Sequence, residues 1–392
     1  MLEEIRFFED LLQTPGNHLI DAAVAENRIP IGYNCYVVPR PLLSVGNLFP
    51  VRLRAPGVQN TELADFYLSS VLCSFSRSIL ETALTGGYHF LGGLVNANSC
   101  QHSTRCGQHF EIKNINADND NFFVHILETP RKTYPEFIEV FIKDLKRTAS
   151  IIADKYQVDM SDAELSKAIK QHNEFNRMLQ EIADLRKATN PRISGSEFHK
   201  LMAATLVAPQ DKLIQPIKNL KEALQQREGI TDYRARIMVV GPCFDNPQLV
   251  ELMEEQGALL ACDRFCFGSL PGLEEIPEDG DPYQNLAEHY LATCECPRMI
   301  EKAETRTANL IRWAREYAVD GIVFLTIKFC DMWGYEKLIT MEAVREAGIP
   351  IISIEREYGF AGEGQFRTRI QAFIESIENK NYQSEIRGEQ VK

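Results

Sequence analysis

Continuous apolar runs alternate with stretches of helical spacing through the second half of the chain. Residues 236–240 (RIMVV) form an apolar run ended by Gly241 and Pro242, and 246–256 then places Leu249, Val250 and Met253 on one helical face. The same alternation continues with a strand at 258–262 (ALLAC), helices near 283–291 and 300–317, a strand at 321–327 (GIVFLTI), a helix near 335–347, a strand at 349–355 (IPIISIE) and an amphipathic helix at 367–377. Strands that are apolar on both faces and separated by helices predict a parallel sheet covered on each side.

The first half carries a fainter version of this pattern. Residues 32–38 (GYNCYVV), 49–53 (FPVRL), 90–96 (FLGGLVN) and 122–127 (FFVHIL) read as strands, and 63–84 reads as one helix stopped by Gly86 and Gly87. From 134 to about 227 the pattern turns helical, with SDAEL at 161–165 as a capping-type start. The expected fold is α/β, with two Rossmann-like or flavodoxin-like parallel-sheet lobes: 1–133 as an N-terminal lobe, 134–230 as a helical segment and 231–392 as a C-terminal lobe. That both lobes share one alternation leaves open that they are distant structural copies.

Composition narrows the function. A length of 392 residues suffices for two or three cores, and 44% hydrophobic with 25% charged residues is ordinary for a globular protein. The formal net charge of -13 argues against nucleic acid as a partner, because phosphate binding needs a basic face. The start, MLEEIRFFEDLL, has no cationic or apolar leader pattern, and no run approaches the length of a membrane span. The expectation is a cytoplasmic protein without a membrane partner, whose thiols stay reduced.

Ten cysteines then become the candidate chemistry. None forms a Cys-x-x-Cys pair, so a zinc ribbon, a dithiol motif or a ferredoxin run does not fit, and thiolates would have to converge by folding. Cys35, Cys73, Cys100, Cys266, Cys296 and Cys330 stand mostly at strand ends and turns, where open α/β sheets collect ligands. Cys35 is expected on a strand just ahead of Pro39, and Cys73 inside the helix 63–84. Cysteine is also a well-buried residue type, and plain burial is the competing reading for each thiol taken singly. Cys262 reads as core, while Cys106, Cys243 and Cys294 are reserve ligands. Histidine spacing offers no zinc-protease pattern, no phosphate loop is present, the serine of FGSLPG lacks a nucleophile elbow, and GFAGEG at 359–364 reads as a solvated turn.

The fragments GYNCYVVPRPLLSVGNLFPVRL, VLCSFSRSILE, LVNANSC, CDRFCFGS, HYLATCECPRM, VDGIVFLTIKFCD and GQFRTRIQAFIE, in this order, resemble the 2-hydroxyacyl-CoA dehydratase and benzoyl-CoA reductase family over nearly the whole chain. The resemblance implies an iron-sulfur enzyme subunit that pairs with itself or a homologous subunit and receives low-potential electrons from an ATP-hydrolysing iron-sulfur activator. It implies Cys73, Cys100 and Cys330 as ligands of a [4Fe-4S] cubane, and Cys35, Cys266 and Cys296 as the further ligands of an [8Fe-9S] double cubane. Two positions depart from the double-cubane pattern. Arg298 stands where Cys-Pro-Cys-Met is usual, and Leu270 stands where arginine often follows Gly-Ser. The implied activity is reduction of an acyl-CoA or other small unsaturated substrate. Elimination of water from a 2-hydroxyacyl-CoA, an electron-transfer subunit without its own substrate, and a solute-binding-like protein with incidental cysteines are the alternatives.

Overall fold

A computed structural model describes residues 2–359 and 362–386, with side chains described through 380. The first sheet holds β1 (Ile29–Tyr33), β2 (Leu48–Arg52), β3 (Gly93–Ala97) and β4 (Val124–Leu127), all parallel, in the order β2-β1-β3-β4. The second holds β5 (Ala235–Val240), β6 (Ala258–Arg264), β7 (Gly321–Ile327) and β8 (Ile351–Arg356), also parallel, in the order β6-β5-β7-β8. Both lobes therefore have the flavodoxin-like order, and each has its switch point between its first and third strands. Every residue of β5, β6 and β7 is buried, which is why these strands read as unbroken apolar runs.

Helices cover the sheets. In the first half they are α1 (Glu3–Asp10), α2 (His18–Ala25), α3 (Glu62–Asp65), α4 (Ser74–Leu84) and α5 (Gln101–Ile112). The helical stretch comprises α6 (Pro135–Tyr156), α7 (Asp162–Asp184), α8 (Gly195–Ala204) and α9 (Gln210–Gln226). The second half adds α10 (Gln248–Glu254), α11 (Pro282–Ala292), α12 (Ala303–Glu316), α13 (Asp331–Glu346) and α14 (Glu363–Ile386). The middle helices bridge the lobes: α6 lies on β4 and α11, while α8 lies on α1, α10 and β6. Ser161 does precede α7, but its side chain makes no capping bond; the full capping box forms instead at Ser194 and Glu197, at the start of α8.

Two local expectations are corrected. The strand expected at 32–38 ends at Tyr33, because Asn34 turns inward, donating to the Ala97 carbonyl at 3.2 Å and accepting its N–H at 2.7 Å. Cys35 therefore lies in the turn beyond β1. The single helix expected at 63–84 is broken into α3 and α4. Ser69 causes the break: its hydroxyl accepts the Val71 N–H at 3.4 Å and its carbonyl accepts the Leu72 N–H at 2.9 Å, bonds that compete with helix continuation. Of GFAGEG, Phe360 and Ala361 lie outside the described residues. Among the described residues no helix is long and apolar enough to cross a membrane.

Candidate thiol centre

The carboxyl ends of the two sheets face one another. Arg52, which closes β2, donates to the carbonyl of Cys266 just past β6, and Arg54 pairs with Asp245 beyond β5 at 2.8 Å. Tyr358, beyond β8, donates its N–H to the Ser74 hydroxyl at 2.8 Å, and its own hydroxyl accepts the Ala55 N–H at 3.1 Å. The strand-end loops, where sequence reasoning expected ligands, thus form one crevice.

Three of the six candidate cysteines occupy equivalent positions. Cys73, Cys100 and Cys330 are the N-cap residues of α4, α5 and α13. Cys73 is therefore at a helix start, where free backbone N–H groups and the helix dipole favour negative sulfur. The Cys100 sulfur already accepts the Ser103 N–H at 3.5 Å. His102, buried two residues beyond Cys100, ties the three segments together: its Nδ1 accepts the Cys73 backbone N–H at 3.2 Å, and its Nε2 stands 3.4 Å from Asp331 Oδ2, the residue after Cys330. With Nδ1 accepting, a ring N–H is at Nε2, the nitrogen nearer Asp331.

Burial governs the protonation of these thiols. It pushes Cys100 up to about 12 and raises Cys73, where the N–H groups of Ser76 and Phe75 oppose it. Cys330 is raised well above the ordinary thiol value by burial and then by the neighbouring Cys73 and Cys100. Without added positive charge the three stay protonated. A metal group would supply that charge, and binding it would release protons.

The other three cysteines gather in the same crevice. Cys35 and Cys296 are raised by burial first and then by neighbouring thiols, Cys266 in the case of Cys35 and Cys294 then Cys266 in the case of Cys296. Cys266 is the exception, held below the usual thiol range by a hydrogen bond from Cys243 and by Arg52. Two guanidiniums, each 1% exposed, accompany this group. Arg52 stacks 3.9 Å from the Phe267 ring centroid, and Arg298 donates to the Thr129 carbonyl at 2.6 Å and hydroxyl at 2.8 Å. Arg52 keeps Nε and Nη2 without partners, and Arg298 keeps Nε. Sequence reasoning missed Arg52, whose position in FPVRL looks like an ordinary strand end, and saw Arg298 only as a departure.

The reserve cysteines separate. Cys294 is fully buried with its sulfur 3.3 Å from the Tyr36 hydroxyl, Cys106 is buried on α5, and Cys262 is core within β6, as expected. Among the described residues no three His, Cys, Asp or Glu side chains close on a single metal ion. A lone ion therefore does not fit. A multi-iron cluster fits the donor set better, because each thiolate binds a different iron and the sulfurs stand apart. A cavity of about 320 Å³ opens at Cys330, lined also by Thr326, Phe329, Asp331, Tyr335 and Lys337, and a second of about 320 Å³ lies between the lobes at Arg54, Asp245 and Tyr358.

A family model described as 2-hydroxyglutaryl-CoA dehydratase, D-component, matches residues 35–377 and so spans the whole crevice. The chain belongs to that D-component family. Its relatives in the family are similar over nearly their full length. The (R)-phenyllactyl-CoA dehydratase beta subunit of Clostridium sporogenes is 25% identical over 94% of this chain and 97% of its own. A putative dehydratase subunit, YjiM, of Escherichia coli K12 is 26% identical over 90% of this chain and 92% of its own. A benzoyl-CoA reductase subunit of Thauera aromatica is 21% identical over 90% of this chain and 91% of its own. D-component proteins are thus named as subunits of dehydratases and reductases, and this chain is an enzyme subunit of that kind.

Proposed function

We propose that this D-component chain is a cytoplasmic iron-sulfur subunit that accepts low-potential electrons and reduces an acyl-CoA or another small unsaturated substrate. The observation that carries the reading is the triad of cysteines at helix N-cap positions, Cys73, Cys100 and Cys330, joined through His102 and bordered by the cavity at Cys330. Three thiolates on a [4Fe-4S] cubane leave one iron without a protein ligand, and such a group supplies single electrons and an open coordination position. Cys35, Cys266 and Cys296 are the remaining thiols in the crevice and would hold further iron. The buried Arg52 and Arg298 offset its negative charge.

The chain's own residues do the rest. The crevice walls exclude water, which strengthens every charge interaction inside. His102 fixes the two capping loops relative to α13, and Lys337 at the cavity rim offers a cation to an anionic substrate. No phosphate loop occurs in the sequence, so the ATP-hydrolysing activator is a separate protein, and the enzyme is completed by a homologous subunit. A second reading, dehydration of a 2-hydroxyacyl-CoA, is favoured by the names of the relatives that are 25% and 26% identical.

The test is iron and sulfide analysis of the anoxically purified chain and of Cys73→Ala, Cys100→Ala and Cys330→Ala. Each substitution should remove about four irons. Unchanged iron in all three variants refutes the assignment. Turnover of substrate with dithionite alone, without activator or ATP, would refute the partner.

A further inference from the structure

Behind the thiol crevice lies a further cavity that the proposed function leaves unused. It measures about 50 Å³ and is enclosed by the end of β1, the short turn Arg40–Leu43, α7, α8, α11 and the loop after β6. A single water needs about 10–15 Å³ of such space, so the cavity admits a group of a few heavy atoms and is far too small for an acyl-CoA.

Its lining is rich in donors and holds one arginine. Arg40 is tied in place from two sides: its backbone N–H donates to the Tyr290 hydroxyl at 3.1 Å, and its Nη2 donates to the Thr205 carbonyl at 2.6 Å. Its Nε–H is buried without a partner, and among the described residues no carboxylate stands in ion-pair contact with the guanidinium. The Tyr33 hydroxyl, on a side chain that is 0% exposed, has no hydrogen-bond partner either. Tyr290, having accepted the Arg40 N–H, keeps its own proton to donate. The His172 ring is engaged at both nitrogens, by Asn176 and Gln210 at 3.3 Å each. Glu274 is the carboxylate at the rim, but it is exposed and water screens it. Buried donors are normally paired, and a water could pair with Tyr33 yet would not offset the Arg40 charge. An oxyanion does both, through charge-assisted hydrogen bonds.

We propose that this cavity is a binding site for a small oxyanion, a carboxylate or phosphate group of a few heavy atoms, held by Arg40 Nε–H and the hydroxyls of Tyr33 and Tyr290. Its place in the fold gives the binding a consequence. Tyr33 closes β1 two residues before Cys35, and Gly268, on another wall of the cavity, stands two residues after Cys266. An anion held there braces both turns from behind, and it stabilises the chain with or without iron in the crevice.

The experiment titrates the full chain, purified under strict anoxia, with acetate, inorganic phosphate and chloride at constant ionic strength, and follows the melting midpoint and the heat of binding. One or both oxyanions should raise the midpoint of wild type saturably, and chloride should not. A response to acetate alone identifies a carboxylate site, and a response to phosphate alone a phosphate site. Tyr33→Phe keeps the ring and removes only the unpaired hydroxyl. Without oxyanion its midpoint should equal or exceed that of wild type, while its oxyanion affinity should fall about 10-fold, the loss expected for one hydrogen bond to a charged group. Arg40→Gln should abolish binding, and Arg312→Gln, at a side chain that is 58% exposed, should bind as wild type does. Should Arg40→Gln fail to fold, Tyr33→Phe decides the matter. No saturable shift in wild type, an equal response to chloride, or undiminished affinity in Tyr33→Phe overturns the proposal.

Discussion

His102 and Phe329 show how single residues set the crevice. The His102 ring bridges the Cys73 backbone and the start of α13, so His102→Ala should weaken iron retention about 10-fold to 100-fold, as loss of an outer-shell partner does. Chelator competition measures this, and equal rates of iron loss in variant and wild type would contradict it. Phe329 sits at φ 64 immediately before Cys330, in a left-handed conformation that is unfavourable for a bulky side chain. Such strain costs about 1–3 kcal/mol and gathers at functional sites. Phe329→Gly should therefore raise the urea midpoint of the iron-free chain while loosening the Cys330 loop; a lowered midpoint would mean that the ring's contacts outweigh the strain. His199 shows the opposite case of an electrostatically quiet core. Burial lowers it to about 4, against an ordinary value of 6.5, while its Nε2–H donates to the Phe244 carbonyl at 3.1 Å. The unfolded chain takes up this proton first, so stability is complete above pH 6.5 and declines as pH falls toward 4. Unfolding midpoints across that window should fall for wild type and fall less for His199→Gln.

At the scale of elements, close contacts between helices and strands hold the frame on which the loops sit. Gly195 opens α8 against β6, and a Cβ there would lie 2.3 Å from the Leu260 Cβ and 2.6 Å from its carbonyl oxygen. Gly195→Ala should destabilise the chain by about 1–3 kcal/mol, the usual cost of overpacking, because the obstacle is backbone as well as side chain. Chemical denaturation reads this directly, and an unchanged midpoint would show that α8 shifts freely. The same scale explains the helix starts. Ser194 and Glu197 satisfy the first turn of α8 with side chains, whereas α4, α5 and α13 begin at cysteines, of which the Cys100 sulfur accepts the Ser103 N–H while Cys73 and Cys330 make no side-chain capping bond.

Across the whole molecule, the lobes are held together by buried charge. Arg54 and Asp245 are each 3% exposed at the side chain and pair at 2.8 Å between the strand-end loops of different sheets. Arg54 also donates to the Leu12 carbonyl at 3.2 Å. Asp245→Ala leaves that guanidinium buried and uncompensated, and should cost about 3–5 kcal/mol in unfolding experiments. A loss below about 1 kcal/mol would show that water reaches the interface and screens the charge.

The amino-acid sequence by itself determined the strands and the donor chemistry. Runs such as 236–240 and 321–327 are apolar on both faces because both faces are covered, and that information is local. The abundance of scattered thiols, the acidic charge and the resemblance likewise needed no coordinates. Only the tertiary structure decided the common strand order of the two sheets, since register and neighbours depend on contacts far apart in the chain. It moved Cys35 out of a strand through Asn34 and placed Cys73 at a helix start through Ser69. It also brought His102, Arg52 and Cys243 to the thiols. Each of these residues looks ordinary in its own segment, and its role arises because parallel strands from two sheets end in one crevice, a convergence that no window of sequence contains.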